Sequence, residues 1–331
     1  MTKPDAESVF KLRPPPHRTK GRGLRISISE RLRVARRIPQ AVVKVTSFCH
    51  GLRHVSRSLD YITRKGTLPL EKDNGEVLLG RDAQDELAAD WSMDFDFHKR
   101  SRDTANLVFS MPPGSDVDAL RGAVRKVGQR AFQDHEWVFA IHEDRSHPHA
   151  HMMVQMRGRE NGKKLRLRKA DLFHLRELFA EAAREEGVQL AASPRSARGV
   201  GRKGIRQDLY FMKQRGIDLR VEREAAQEAI QAAKNKTSEA KPWEDAMAVR
   251  HEAEQELNAR YAERLRSEAE YKPPEEKKKL MRAAEDLERL AKTLPKPKSR
   301  RQAWIEQVSK KLESQQEKLI QKADEGREIE K

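Results

Sequence analysis

Two apolar runs and the polar loop between them decide how this chain is read. They are Trp137-Val-Phe-Ala-Ile-His142, then Glu143-Asp-Arg-Ser-His-Pro148, then His149-Ala-His-Met-Met-Val-Gln-Met156. The flanking runs have strand composition, and a six-residue connection suits an antiparallel hairpin. Along a strand, residues two apart share a face, so His149 and His151 project together. In a hairpin, His142 at the end of the first strand lies across from them. Three imidazoles then converge on one point and leave positions open for a substrate oxygen. That is the pattern of a catalytic metal site rather than a closed structural one. Asp144 and His147 are placed to orient those rings through their second nitrogens. Histidine donors suit Zn, Mn, Ni or Cu better than Mg on chemistry alone.

Working outward, residues 41–48 read as a first strand, and Leu52 to Lys65 as a helix with Gly66 as its C-terminal cap. Residues 68–103 are acidic and loop-rich, with a short helix expected over 85–91. Residues 105–111 read as a strand stopped by Pro112 and Pro113. A helix capped by Ser115-Asp116 follows over 117–134. Beyond the hairpin, a helix is expected from Lys169 to Glu186. The stretch Ser193 to Arg206 reads as a Gly/Ser/Arg loop over phosphates. From about Asp218 the composition favours helices with little to bury, broken at Pro273-Pro274 and Pro295/Pro297. No repeat is evident. The expected fold class is α+β: a central antiparallel sheet carrying the His-x-His hairpin, flanked by helices, with a long helical C-terminal tail. The domains expected are a basic arm over 1–40, a catalytic domain over 41–215, and a charged helical or partly disordered tail over 216–331.

Of 331 residues, 68 are Lys or Arg and 52 are Asp or Glu, for a net charge of +16. The first 40 residues hold 11 basic against 3 acidic residues, 41–220 hold 32 against 25, and 221–331 hold 25 against 24. The surplus therefore belongs to the arm and the expected catalytic domain. A basic surface of this kind attracts phosphate. The single cysteine, Cys49, excludes a disulfide framework and cysteine zinc modules. No apolar stretch reaches the length of a membrane span, and no secretory leader is evident. A cytoplasmic protein without membrane insertion is expected.

Four tyrosines could serve as a nucleophile, and Tyr61 and Tyr210 fall in the segment expected to have a core. Tyr61 lies in Asp60-Tyr61-Ile62-Thr63-Arg64-Lys65-Gly66. A phenol attacks at neutral pH only if its developing charge is stabilised, and Arg64 and Lys65 supply positive charge beside it. On this segment alone, Tyr61 reads more readily as an ordinary helix residue with its ring in the core.

Taken together, three motifs resemble those of the HUH relaxases, the DNA strand transferases of conjugation. The run His142-x-Asp144-Arg145-x-His147-Pro148-His149-x-His151 resembles their histidine motif. Asp60-Tyr61-Ile62-x-Arg64-Lys65-Gly66 resembles their tyrosine motif, and Val108-Phe109-Ser110-Met111-Pro112 their serine motif. The order, tyrosine before histidines, is that of relaxases rather than rolling-circle initiators. The likeness covers roughly 41–207 and is nearest to the subgroup containing the T-DNA border nickase and P-type plasmid relaxases.

The resemblance implies that Tyr61 attacks one phosphodiester of a single strand at an origin of transfer. Tyr61 would stay joined to the 5′-phosphate and release a 3′-hydroxyl, in a reversible reaction. His142, His149 and His151 would hold a divalent ion, Mg2+ or Mn2+ first and Zn or Ni as alternatives. Asp144 would activate or orient, and Ser110 would contact DNA near the scissile phosphate. Implied partners are single-stranded DNA, relaxosome accessory proteins and a type IV coupling protein. Passage into a recipient cell with the DNA is a further implication. Phosphate contacts are expected from Arg64, Lys65, Lys163, Lys164, Arg166, Arg168, Arg202 and Lys203. With aromatics at only 5% of the chain, extensive base stacking is not expected, although Trp91, Phe95, Phe97 and Trp137 are available. The short cluster Lys296 to Arg301 is no bipartite nuclear signal, which favours plasmid mobilisation over a T-DNA role. Two other classes remain open: a binding module without turnover, and a metal-dependent nuclease that uses water.

Overall fold

The computed structural model describes residues 26–95, 101–201, 207–235 and 241–329. The first 25 residues of the expected basic arm, and the expectations placed on Phe97, Arg202, Lys203 and Arg206, lie outside the described residues. The chain divides into two compact units: Arg36–Ala192, and the residues up to Ala35 together with those from Ser193 onward.

The first unit is built on a six-stranded antiparallel sheet. Its strands are β1 (Val42–Cys49), β2 (Leu70–Lys72), β3 (Val77–Leu78), β4 (Thr104–Ser110), β5 (Trp137–His142) and β6 (His149–Gln155). Across the sheet they run β1-β4-β6-β5-β2-β3. The hairpin strands are thus central, and every residue of β6 is buried. Side-chain alternation sorts the sheet into two apolar faces. Leu107, Phe109, Phe139, Met152 and Val154 pack with α4 (Val117–Ala131) and α5 (Lys169–Glu185). Val138, Ala140 and Met153 pack with Val55, Leu59 and Ile62 of α2 (Leu52–Ile62) and Leu87 and Trp91 of α3 (Gly80–Ser92). Each large apolar side chain so buried contributes about 1.5–3 kcal/mol. The three histidines alternate onto the α2 face.

Local chemistry sets the helix limits. The Asp116 carboxylate accepts from the N–H groups of Asp118 and Ala119 and starts α4. Within α4, Gly128 lies so close to Trp137 that an added Cβ would stand 2.5 Å from the indole ring. Helix α2 ends at Ile62, three residues before the expected Lys65, because Arg64 and Lys65 take φ of 54° and 59°. The expected short helix over 85–91 is the longer α3, and the expected loop before it carries β2 and β3. Trp91 and Trp137 are buried, so they are not available for base stacking.

The second unit has a small-residue core. Helix α1 (Ile28–Ala35) joins α6 (Gln207–Gln214), α7 (Arg220–Lys234), α8 (Pro242–Ala269), α9 (Pro274–Thr293) and α10 (Arg300–Ile329). Tyr261, Ala262, Leu265 and Ala269 of α8 face Leu280, Ala283, Ala284 and Leu287 of α9, with Ile28 and Leu32 of α1 on top. The expectation of little to bury fails here because alanine and leucine at i, i+3, i+4 spacing suffice for a close helix pair. Part of the expected arm is therefore structural. Arg31 is buried, its Nη1 donating to Glu254 and Asn258 at 2.8 and 2.9 Å. In the Gly-rich stretch after Ser193, the backbone at Gly199 packs closely against the segment at Pro295. A Cβ on Gly199 would stand 2.0 Å from the Pro295 carbonyl oxygen. The sheet-bearing unit accordingly closes at Ala192, short of the expected 215. No helix among the described residues is long and apolar enough to cross a membrane.

Candidate active site

Register assembles the site. His142 pairs with His149, and His151 with Ala140. On the other side of β6, Ser110 pairs with His149, and Val42 of β1 pairs with Ser110. One row across four strands thus carries Val42, Ser110, His149 and His142 on the same face. The nitrogens that His142, His149 and His151 offer all lie within 4.8 Å of one another, so one ion is in reach of all three. All three rings are buried.

Their charge state suits a metal. Burial holds the His142 imidazole below its ordinary range; the Ile62 carbonyl opposes this, and Arg64 reinforces it. Burial likewise lowers His149. His151 is lowered to about 3, by burial first and then by its two histidine neighbours. All three are therefore neutral at neutral pH, and their lone pairs need no proton displaced. Main-chain carbonyls, rather than Asp144 and the His147 ring, meet the nitrogens of two of the rings. His142 Nε2 donates to the Ile62 carbonyl at 2.7 Å, and His149 Nδ1 lies 3.4 Å from the His147 carbonyl. Asp144 instead pairs with Arg64. Burial is the largest single influence on the Asp144 carboxyl and raises it, but Arg64 and the histidines together outweigh it and hold the group below its usual range, so it is ionised.

Tyr61 arrives from α2. Val55, Leu59 and Ile62 bury one stripe of that helix, and Tyr61 stands at its edge, 54% exposed. Its ring centroid is 5.4 Å from that of His151 and 6.3 Å from that of His142. The Arg64 guanidinium carbon lies 5.6 Å from the Tyr61 ring centre. The helix is pinned at two places. Asn106 of β4 reaches Ser47, Cys49 and Ser58 with one amide nitrogen, joining two strands to α2. At the helix end, the buried Thr63 hydroxyl donates to the Leu59 carbonyl and meets the Gln84 amide of α3 at 2.9 Å. Tyr210 is about half exposed on α6, in the other unit.

Beside His149 the sheet face continues into a cleft of about 400 Å³. Lys44, Ser110, Arg145 and His147 line it, with Pro39, Met111 and Pro112 among its apolar walls. Sequence reasoning did not single out Lys44 as a site residue. Its only signal was a charge interrupting an apolar strand. Arg145 was noted within the histidine motif but given no role. Lys65 is exposed just after Tyr61. Lys163, Lys164, Arg166 and Arg168 are also exposed. Lys164 bridges to Arg157, past the far end of β6, with its Nζ 2.7 Å from Ser101 Oγ. At about 3.3 Å per residue, the length of β6 puts roughly 20 Å between that end and His149.

Residues 61–188 match the family described as relaxase, MobA/VirD2-like, nuclease domain. The match begins at Tyr61 and spans Ser110 and all three histidines. Among curated proteins, the chain is 27% identical over 174 residues to the T-DNA border endonuclease VirD2 of Rhizobium radiobacter, covering 46% of this chain and 41% of that protein. It is 27% identical over 197 residues to the protein of the same name from Agrobacterium fabrum, covering 54% and 42%. To that from Rhizobium rhizogenes it is 28% identical over 174 residues, covering 46% and 40%. The chain thus spans about two fifths of the length of these relatives.

Proposed function

From the premise that residues 61–188 are a MobA/VirD2-like relaxase nuclease domain, we propose that this chain nicks DNA by tyrosine transesterification on a single strand at an origin of transfer, in plasmid mobilisation. The observation that carries the reading is the phenol of Tyr61 against a trio of neutral histidines on a buried sheet. A divalent ion held by His142, His149 and His151 would polarise the scissile phosphate and offset its growing charge. The protein's own residues do the rest. Tyr61 Oη attacks the phosphorus, a Tyr61–phosphate ester forms, the bond to the 3′-oxygen breaks, and that oxygen leaves as a 3′-hydroxyl. The phenol proton is lost as the 3′-oxygen gains one, and the ester preserves the energy of the broken bond. Attack by the released 3′-hydroxyl reverses the reaction and re-ligates the strand.

In-line displacement needs the attacking and leaving oxygens on opposite sides of phosphorus. Tyr61 flanks His142 and His151, while the cleft flanks His149, so the two lie on either side of the trio. Ser110, Lys44 and Arg145 are then the groups available to the departing strand, and Arg64 and Lys65 to the strand that stays on Tyr61. Asp144 keeps Arg64 beside the phenol. Charge-assisted phosphate contacts of this kind give affinity and register without reading sequence.

The test is adduct formation with a pool of single-stranded oligonucleotides carrying a randomised core, in Mg2+ or Mn2+. A protein–DNA band should survive denaturing electrophoresis, Tyr61→Phe should abolish it, and Tyr210→Phe should leave it. Sequencing the captured strands gives the nick site. His149→Ala should lower cleavage far more than DNA affinity. Cut strands without any adduct would favour a water-using nuclease, and binding without cutting would favour a module that has lost turnover.

A further inference from the structure

Arg64 sits where its charge conflicts with an ion on the histidines. His142 Nε2 lies 2.7 Å from the Ile62 carbonyl oxygen. That oxygen has no proton to give, so Nε2 carries the ring proton and the lone pair left for a metal is on Nδ1. The Arg64 guanidinium meets this same Nδ1, with Nη2 at 3.3 Å. The same Nη2 is ion-paired with Asp144. A metal takes an imidazole lone pair at about 2.0–2.1 Å, and one lone pair serves one partner. Coordination by His142 and the hydrogen bond from Arg64 therefore exclude each other, and two cations at this range also repel.

The surroundings favour an arginine that moves between partners. Its side chain is 41% exposed, so it reaches solvent and substrate without unpacking the core. Its second partner, Asp144, is 52% exposed and on a loop. The guanidinium also lies against the Tyr61 ring, on the path of any strand phosphate that approaches the nucleophile.

We propose that Arg64 is a stand-in for the metal: without DNA its guanidinium occupies the His142 lone pair and opposes the ion, and the strand phosphate draws it off. The trio then binds its ion tightly only with a strand in place, which restrains cutting chemistry in the free protein. The identity of the phosphate rests on the relaxase reading, whereas the competition between Arg64 and the ion rests on geometry alone.

The experiment counts free Mn2+ by electron paramagnetic resonance as it is titrated into DNA-free protein. The chains compared are the natural one, Arg64→Gln, Arg64→Met and Arg64→Lys, with a His149→Ala/His151→Ala chain as background and circular dichroism as the check on folding. Arg64→Gln and Arg64→Met should each bind Mn2+ about tenfold more tightly than the natural chain, with Arg64→Lys nearer the natural value. An arginine that merely props His142 gives the opposite sign. Unchanged or weaker binding in the Gln and Met variants overturns the proposal. In a Tyr61→Phe background, a single-stranded oligonucleotide should tighten Mn2+ binding, and adding Arg64→Gln should shrink that gain. Equal gains overturn it too. Neither readout needs turnover, so a chain that never cuts DNA, which would sink the relaxase reading, can still pass or fail this test.

Discussion

His151 illustrates how position sets chemistry at the scale of one residue. Burial among two other imidazoles brings its pKa from 6.5 to about 3. Between those values the unfolded chain holds the proton and the folded chain does not. The unfolded state then binds more protons, so stability falls as the pH is lowered through that window. The metal-free protein should lose stability on acidification from about pH 6.5 towards 3, read as a falling denaturant midpoint, and His151→Gln should flatten that dependence. A slope indifferent to the substitution would mean that the imidazole is not buried as described. The histidines were legible in the sequence because period-two spacing and a short loop put three of them on one face. Lys44 was not, since one charge in a strand has no pattern. The carbonyls of Ile62 and His147 leave no trace in side-chain identity at all, which is why Asp144 and the His147 ring were expected to do their work.

Elements hold these residues in place, and α4 offers a direct check. Gly128 lets that helix approach Trp137, the first residue of the strand that ends in His142. Gly128→Ala pushes a methyl into the indole, and overpacking of this kind costs about 1–3 kcal/mol. Chemical denaturation should register that loss, whereas Gly75→Ala, where an added Cβ meets nothing within 4 Å, tests only turn strain. Long elements with a clear period were readable in advance: β1, β4, β5, β6, α4 and α5. The pair β2 and β3, three and two residues long, falls below any period. The end of α2 was misplaced because nothing in the pair Arg64-Lys65 announces a left-handed backbone. The core of α8 and α9 was overlooked because alanine counts for little in hydropathy yet packs helices closely.

On the scale of the whole molecule, the division at Arg36 and Ala192 carries its own expectation. The sheet, both of its helical layers and the histidine trio all lie inside that interval. Expressed alone, residues 36–192 should unfold in one cooperative transition and bind Mn2+ as the full chain does. A fragment without tertiary signals in near-ultraviolet dichroism would contradict that autonomy. The charge surplus takes on a sharper meaning as well. Arg31 of the basic N-terminal stretch is spent on a buried ion pair, while Lys44, Arg64 and Arg145 stand around the trio. The central claim is that Tyr61 becomes covalently joined to DNA, and peptide mass spectrometry of the isolated adduct tests it most directly. After protease and nuclease digestion, the peptide containing Tyr61 should carry the mass of a phosphodeoxynucleotide on the tyrosine. The same mass on Tyr210, or cleaved DNA with no modified tyrosine peptide, would contradict the account.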